Sequence, residues 1–355
     1  MNICIYRRPT CDGRCGFHSR QPPRRRLQLL IDHRHAAIRQ AVTPLPGSRP
    51  RDHFKPLNIP GDCDGLTLLL ALGRMVANLS MADWQAEFAR GRIVNREQAT
   101  VAANQIVRAG ERYQHLFPAV MEPAVNGAVE ILHEDEALIV VNKPAPLPMH
   151  AGGRFYLNTL QYILNVAYHP QTPFPAHRLD ANTTGLVLVA RTRHFASRLQ
   201  AQFAQGQVEK AYLVRVLGPL SAGEFACDAP ISARSGERCS RTVDHENGLP
   251  AHTGFRVLRR FADGTNLLEA RPLTGRTNQI RVHLWHLGVP VCGDAIYLPG
   301  RQLGRTQTLA VDDPPLCLQA ARVRCIHPLT WEPVEFNAPL PAWASEDSCP
   351  PYPNK

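Results

Sequence analysis

Two short apolar runs, Ala137 to Val141 and Leu186 to Ala190, constrain the fold of this 355-residue chain more than any other feature. Each shows almost no alternation, so each reads as a strand covered on both faces, not as a half-exposed strand. A spanning helix needs about 20 apolar residues, so runs this short predict no transmembrane segment. Around them the pattern predicts a helix over 193–205, with Phe195, Leu199 and Phe203 four apart on one face and Gly206 ending it. Strands follow over 211–217, 255–260 and 266–271, the last two joined by a hairpin turn at Asp263-Gly264. A helix over 278–287 then buries Ile280, Leu284 and Leu287 and is closed by Gly288. Strands outnumber helices without a regular βα repeat. The expected class is therefore α+β, with a mixed, largely antiparallel sheet and flanking helices over residues 129–340 and a tail over 341–355.

The N-terminal third reads differently. Residues 1–55 alternate Arg-rich stretches with Pro22-Pro23, Pro44 and Pro50, and their one helix-like piece, 27–38, is short. They are expected to be a basic, disordered tail. Residues 60–118 form a small module, in which Leu66, Leu69, Leu70 and Met75 mark a first helix. A second helix starts with Ser80 as N-cap and Asp83 at N3, aligns Met81, Trp84 and Phe88, and stops at Gly91. Short strands follow around Arg92 to Asn95 and Val107 to Glu111. This order resembles the S4 RNA-binding module, and the resemblance makes Arg74, Arg90, Arg92 and Arg96 the RNA-facing residues. Residues 119–128 read as a linker.

Charge is distributed just as unevenly. The net charge is +10, yet residues 1–55 hold 11 Arg and one Lys against three Asp, which leaves the rest of the chain nearly neutral. Total charge is thus a property of the tail and no argument for a nucleic-acid groove elsewhere. The 10 Cys include no CxxC, and no apolar secretory run stands near the N-terminus, so reduced thiols and a cytoplasmic protein are expected. Cys4, Cys11, Cys15 and His18 match no strong zinc spacing, and no metal is expected there.

Three segments set charged residues against apolar strands. In His177-Arg178-Leu179-Asp180-Ala181-Asn182-Thr183-Thr184-Gly185, an Asp in a polar loop enters a buried strand, where hydroxyls and amides favour its ionised form. Asp180 reads equally well as a loop residue accepting local hydrogen bonds. Tyr212, in Glu209-Lys210-Ala211-Tyr212, suits stacking on a planar ligand, proton transfer or simple packing. The third segment, Arg271 to Arg281, runs from a loop into a helix, with Thr277 placed to cap it and Arg276 and Arg281 five apart. There is no GxGxxG after a strand, no GxxxxGK[ST], no HExxH and no GxSxG, which disfavours dinucleotide, nucleoside triphosphate, zinc-protease and serine-hydrolase chemistry. A lone carboxylate with Arg and Tyr partners remains, suited to attack at a glycosidic carbon.

These segments resemble the motifs of the pseudouridine synthases, specifically the family typified by the bacterial large-subunit ribosomal RNA enzymes. His177 to Gly185 resembles the family's HRLDxxTSG, with Thr184 where Ser is usual. Leu138 to Pro144 resembles its opening strand and NKP loop, and Lys210-Ala211-Tyr212 its central Tyr motif. Gly275 to Leu284 resembles GRTHQIRVHL, with Asn278 in place of His, and Gly293-Asp294 with Tyr297 resembles GDxxYG, with Leu298 in place of the final Gly. The resemblance implies that Asp180 attacks C1′ of a uridine, that Tyr212 stacks on the base or takes the C2′ proton, and that Arg281 pairs with Asp180. Arg178 then fills the space of the flipped base. His177, Thr184, Arg276, Asn278 and Lys143 complete the implied substrate-binding set. No metal, redox group or other cofactor is implied, and the implied partner of a monomeric enzyme is RNA, ribosomal or alternatively transfer RNA. The remaining alternative is an RNA-binding protein that has lost catalysis.

Overall fold

The computed structural model describes residues 24–76, 79–236 and 240–346. Cys4, Cys11, Cys15 and His18 lie outside the described residues. Two compact units form, one of residues Gly47–Glu122 and the other of the remainder. In chain order, α1 (Arg24–Ala41) belongs to the larger unit. The smaller unit holds β1 (Arg51–Asn58), α2 (Leu68–Met75), α3 (Met81–Ala89), β2 (Ile93–Val94) and β3 (Arg112–Val120). The larger unit resumes with β4 (Glu130–Glu134), β5 (Leu138–Lys143), α4 (Leu160–Ala167), β6 (Phe174–Pro175), β7 (Thr184–Ala190) and α5 (Arg193–Ala204). It continues through β8 (Glu209–Val216), β9 (Glu224–Cys227), β10 (Thr253–Arg260), β11 (Asn266–Pro272) and α6 (Gln279–His286). Last come β12 (Tyr297–Leu298), β13 (Gln302–Leu303), β14 (Leu318–Ile326) and β15 (Pro333–Asn337). Among the described residues no helix is long and apolar enough to cross a membrane.

The two apolar runs are the inner strands β5 and β7, and their side chains divide between two cores. Ile139, Val141, Val187 and Val189 pack into one that includes α4, while Leu138, Val140, Leu186 and Leu188 pack into another that includes α5. Burial on both faces explains the missing alternation. The main sheet runs β4-β5-β7-β14-β8-β11-β10-β9, and β7 with β14 is its parallel pair, the other neighbours being antiparallel. One register row crosses it through Lys143, Gly185, Ala320, Tyr212 and Ala270. That row sets Tyr212 between small residues and close to the strand that Asp180 precedes. Gly185 is required there. Its φ is +108°, and a Cβ would lie 2.3 Å from the Ala320 carbonyl oxygen.

Two segments expected to be tails are tied into the larger unit. In α1, Ile31 and Ile38 enter the β5–β7 core, and Arg34 joins Arg191 and Tyr168 around the buried carboxylate of Glu134. A short helical turn over 342–344 buries Trp343, and the fully buried Arg215 donates to the carbonyls of Trp343 and Glu346 at 2.9 and 2.8 Å. Composition marks both segments as polar, but a few apolar side chains and long-range ion pairs suffice to hold them. Leu287 is 42% exposed, since α6 ends before its side chain turns inward.

In the smaller unit, Ser80 and Asp83 form the reciprocal capping box that the sequence predicts. The buried face of α2 is Leu68, Ala71 and Leu72, while Leu70 points outward. The expected strand over 107–111 lies one step later, as β3, and pairs with β1 and β2.

Candidate active site

The loop before β7 is pinned from several sides, and this fixes Asp180. Lys143 has no exposed surface, and its Nζ donates to the carbonyls of Pro144, Leu147 and Ala181 at 2.9, 2.9 and 3.1 Å. Leu147 N–H donates to the same Ala181 carbonyl at 2.9 Å. Burial pushes the Lys143 ammonium down to about 7 against the opposing pull of Asp180, while the three carbonyls match its three donors. Asn182 is held by the Gln307 carbonyl and Leu309 N–H, each at 3.1 Å, and Thr184 Oγ1 donates to the Leu318 carbonyl at 3.4 Å. At the start of the loop, Leu188 N–H donates to His177 Nε2 at 3.0 Å. Burial, with Lys210 nearby, holds His177 neutral by lowering it to about 3.

Arg281 reaches this loop from α6. Its Nη1 is 3.3 Å from Asp180 Oδ2, and Asp180 keeps a quarter of its side chain exposed to the cleft. The closer partner of Arg281 is Asp294, whose two oxygens lie 2.7 and 2.8 Å from Nε and Nη2. The Arg281–Asp180 pairing that the resemblance implies is therefore one arm of a shared cation. Burial opposes the charge on Arg281, yet Asp294 and Asp180 raise its basicity overall.

Asn278 sits at φ +58°, a conformation that Asn tolerates, immediately before α6. Asn278, not Thr277, is the N-cap position, and its side chain makes no cap hydrogen bond. Its Oδ1 accepts from Arg281 Nη1 at 3.1 Å, and its Nδ2 donates to Tyr297 at 3.0 Å.

The cleft is lined by Arg178, Asp180, Lys210, Tyr212, Arg276 and Arg281, among others. Arg178 and Arg276 are exposed, and Arg276 Nε donates to the Pro250 carbonyl at 3.0 Å. Tyr212 is half-buried, and burial together with Asp180 raises its phenol well above the ordinary range. A protonated phenol at this place in the cleft suits stacking on a base.

The structure thus brings Asp180, Arg178, Tyr212, Arg276 and Arg281 together. Lys143, His177, Thr184 and Asn278, the other expected substrate contacts, make internal hydrogen bonds that set the loop and Arg281, and Asn278 also lines the cleft. Lys210 and Asp294 were given no role by the sequence. The signal for Asp294 was present, since a carboxylate in the apolar stretch Val289 to Tyr297 requires a buried cation.

In the smaller unit, Arg74 pairs with Asp62 at 3.3 Å, and Arg90 and Arg92 share Glu87 with His115. Burial opposes ionisation of Glu87, but hydrogen bonds from His115, Arg90 and Arg92 draw it down to about 2. Arg96 is exposed.

Known proteins place this geometry. Residues 137–286 match the family model described as RNA pseudouridylate synthase. The chain is 35% identical over 214 residues to ribosomal large subunit pseudouridine synthase C of Vibrio cholerae, a match covering 60% of this chain and 66% of that one. It is 33% identical over 303 residues to ribosomal large subunit pseudouridine synthase D of Nitrosomonas europaea, covering 83% and 87% respectively. The solved structure of human RNA pseudouridylate synthase domain containing 1 superposes with a TM-score of 0.51 at 27% identity, covering 66% of this chain and 92% of the other. With the D-type relative matched over most of its length and the cleft residues converging on one carboxylate, the chain belongs to the RNA pseudouridylate synthase family of isomerases.

Proposed function

We propose that the chain converts specific uridines to pseudouridine in large-subunit ribosomal RNA, with Asp180 as nucleophile. The observation that carries this is a pinned, partly exposed carboxylate sharing one cleft with Arg178 and Tyr212. Attack by Asp180 on C1′ forms a C–O bond as the C1′–N1 bond breaks and its electron pair stays on uracil. The base rotates, C5 bonds to C1′ as the ester bond breaks, a proton is taken up at N1 and one is lost from C5. Atoms and electrons balance within the nucleotide. Arg178 occupies the gap left by the flipped base, and Tyr212 stacks on it.

The unit Gly47–Glu122 acts as the S4-like RNA-binding part. Its exposed ion pair between Arg74 and Asp62 is weak enough for phosphate to displace. The enzyme works as a cytoplasmic monomer. Ribosomal RNA is favoured over transfer RNA by the names of the two bacterial relatives. Mapping pseudouridines in total RNA from cells with and without the gene tests the reading. Sites lost from large-subunit RNA support it; sites lost only from transfer RNA reassign the substrate, and an unchanged map contradicts it.

A further inference from the structure

We infer that Asp294 is a positioning residue for the reaction: it occupies the Nε and Nη2 edge of Arg281 so that Nη1 alone is offered to Asp180. The inference rests on the reading of Asp180 as nucleophile. A nucleophilic carboxylate next to a guanidinium faces two opposed demands. The cation keeps it ionised, but a two-point fork would hold both oxygens and blunt attack. Arg281 resolves the conflict by presenting the fork to a different acid.

Five observations carry this. Asp294 is fully shielded from water, and Arg281 nearly so at 4% exposed, so neither oxygen of Asp294 serves solvent. Both of its oxygens are engaged by Arg281, at 2.7 and 2.8 Å. Oδ1 also accepts from the N–H groups of Ile296 and Tyr297 at 2.9 and 3.0 Å, which locks the carboxylate plane. Gly293 permits that turn, because at its φ of +73° a Cβ would meet the Pro315 carbonyl oxygen at 2.0 Å. The remaining Nη1 is oriented by Asn278 Oδ1 at 3.1 Å and reaches Asp180 at 3.3 Å.

The charged and titratable groups around Asp180 are Arg281 from α6, Lys143 from β5, Tyr212 and Lys210 from β8, Arg178 from its own loop and Arg276 from the loop before α6. Asp294 acts on Asp180 through Arg281, whose charge it divides. Removing that division delivers the whole guanidinium to Asp180.

The test is Asp294→Asn, assayed by tritium release from 5-tritiated RNA, with rates expressed per folded molecule. The wild-type enzyme must first turn over; if it does not, the pseudouridine reading fails and not this one. The expected result is a saturated rate at least 30-fold lower, a half-saturating RNA concentration within threefold of wild type, and an acid-side fall in rate moved to lower pH by half a unit or more. A folded variant with a wild-type rate and pH profile overturns the inference. Should Asp294→Asn fail to fold, Asn278→Asp combined with Asp294→Asn decides. It restores one buried carboxylate to Arg281 but places it on the Nη1 side that Asp180 uses. A rate below one tenth of wild type supports positioning, whereas a wild-type rate shows Asp294 to be a counter-ion alone.

Discussion

Arg281 and Asp294 form a two-point ion pair in which neither side chain is more than 4% exposed. Cutting such a pair on one side leaves a buried charge unmatched, which typically costs about 3 to 5 kcal/mol. Arg281→Met should therefore be severely destabilised through Asp294, more than through Asp180, which keeps contact with water. Adding Asp294→Asn should recover much of the loss. Urea midpoints of the single and double variants check this, and a double variant less stable than Arg281→Met contradicts it.

Gly185→Ala should destabilise by about 2 to 4 kcal/mol, because the positive φ and the overlap with Ala320 strain the parallel β7–β14 pair at once. Thermal melting measures it. A change under half a kcal/mol would mean that the two strands separate more easily than their register implies.

His177 makes stability depend on pH. Burial lowers it from 6.5 to about 3, so between those values the unfolded chain binds a proton that the folded chain does not. Its contribution is fully present above pH 6.5 and declines as pH falls toward 3, amounting to about 2 kcal/mol lost at pH 5.0. His177→Gln should lose less stability than wild type between pH 7.5 and 5.0, a window above the range in which Glu87 titrates. Equal losses in the two proteins would show that His177 is protonated in the folded state.

Deleting residues 1–46 should lower the melting temperature by about 6 to 12 °C, since it strips Ile31 and Ile38 from the β5–β7 core and Arg34 from Glu134. A truncation that begins at residue 24 retains α1 and should melt well above one that begins at residue 47. Equal melting of both would return α1 to the status of a tail.

Local signals were read well from the chain, and partners were not. The Ser80–Asp83 box, the helix α5 and the doubly buried strands β5 and β7 depend on neighbours within a few residues, or on composition alone. The helix α4 and the strands β14 and β15 went unread, although Thr159 caps α4 much as Thr192 caps α5. The motifs named Asp180, Arg178, Tyr212 and Arg281 correctly as neighbours of one cleft. They left open which polar residues face outward, because a Lys, His or Asn looks the same in sequence whether it meets a ligand or a carbonyl. Lys143 shows this most clearly: the Pro144 and Leu147 carbonyls lie close by in the chain, but its third acceptor, Ala181, arrives only when a distant loop packs against it.

The central claim rests on Asp180. Asp180→Asn preserves the shape of the loop and leaves the positive lining of the cleft in place, so RNA affinity should stay within roughly tenfold of wild type. Its single-turnover rate of tritium release from a cognate large-subunit transcript should fall below about one thousandth of wild type, because no nucleophile remains. A folded Asp180→Asn enzyme that still forms pseudouridine at an appreciable rate would contradict the account.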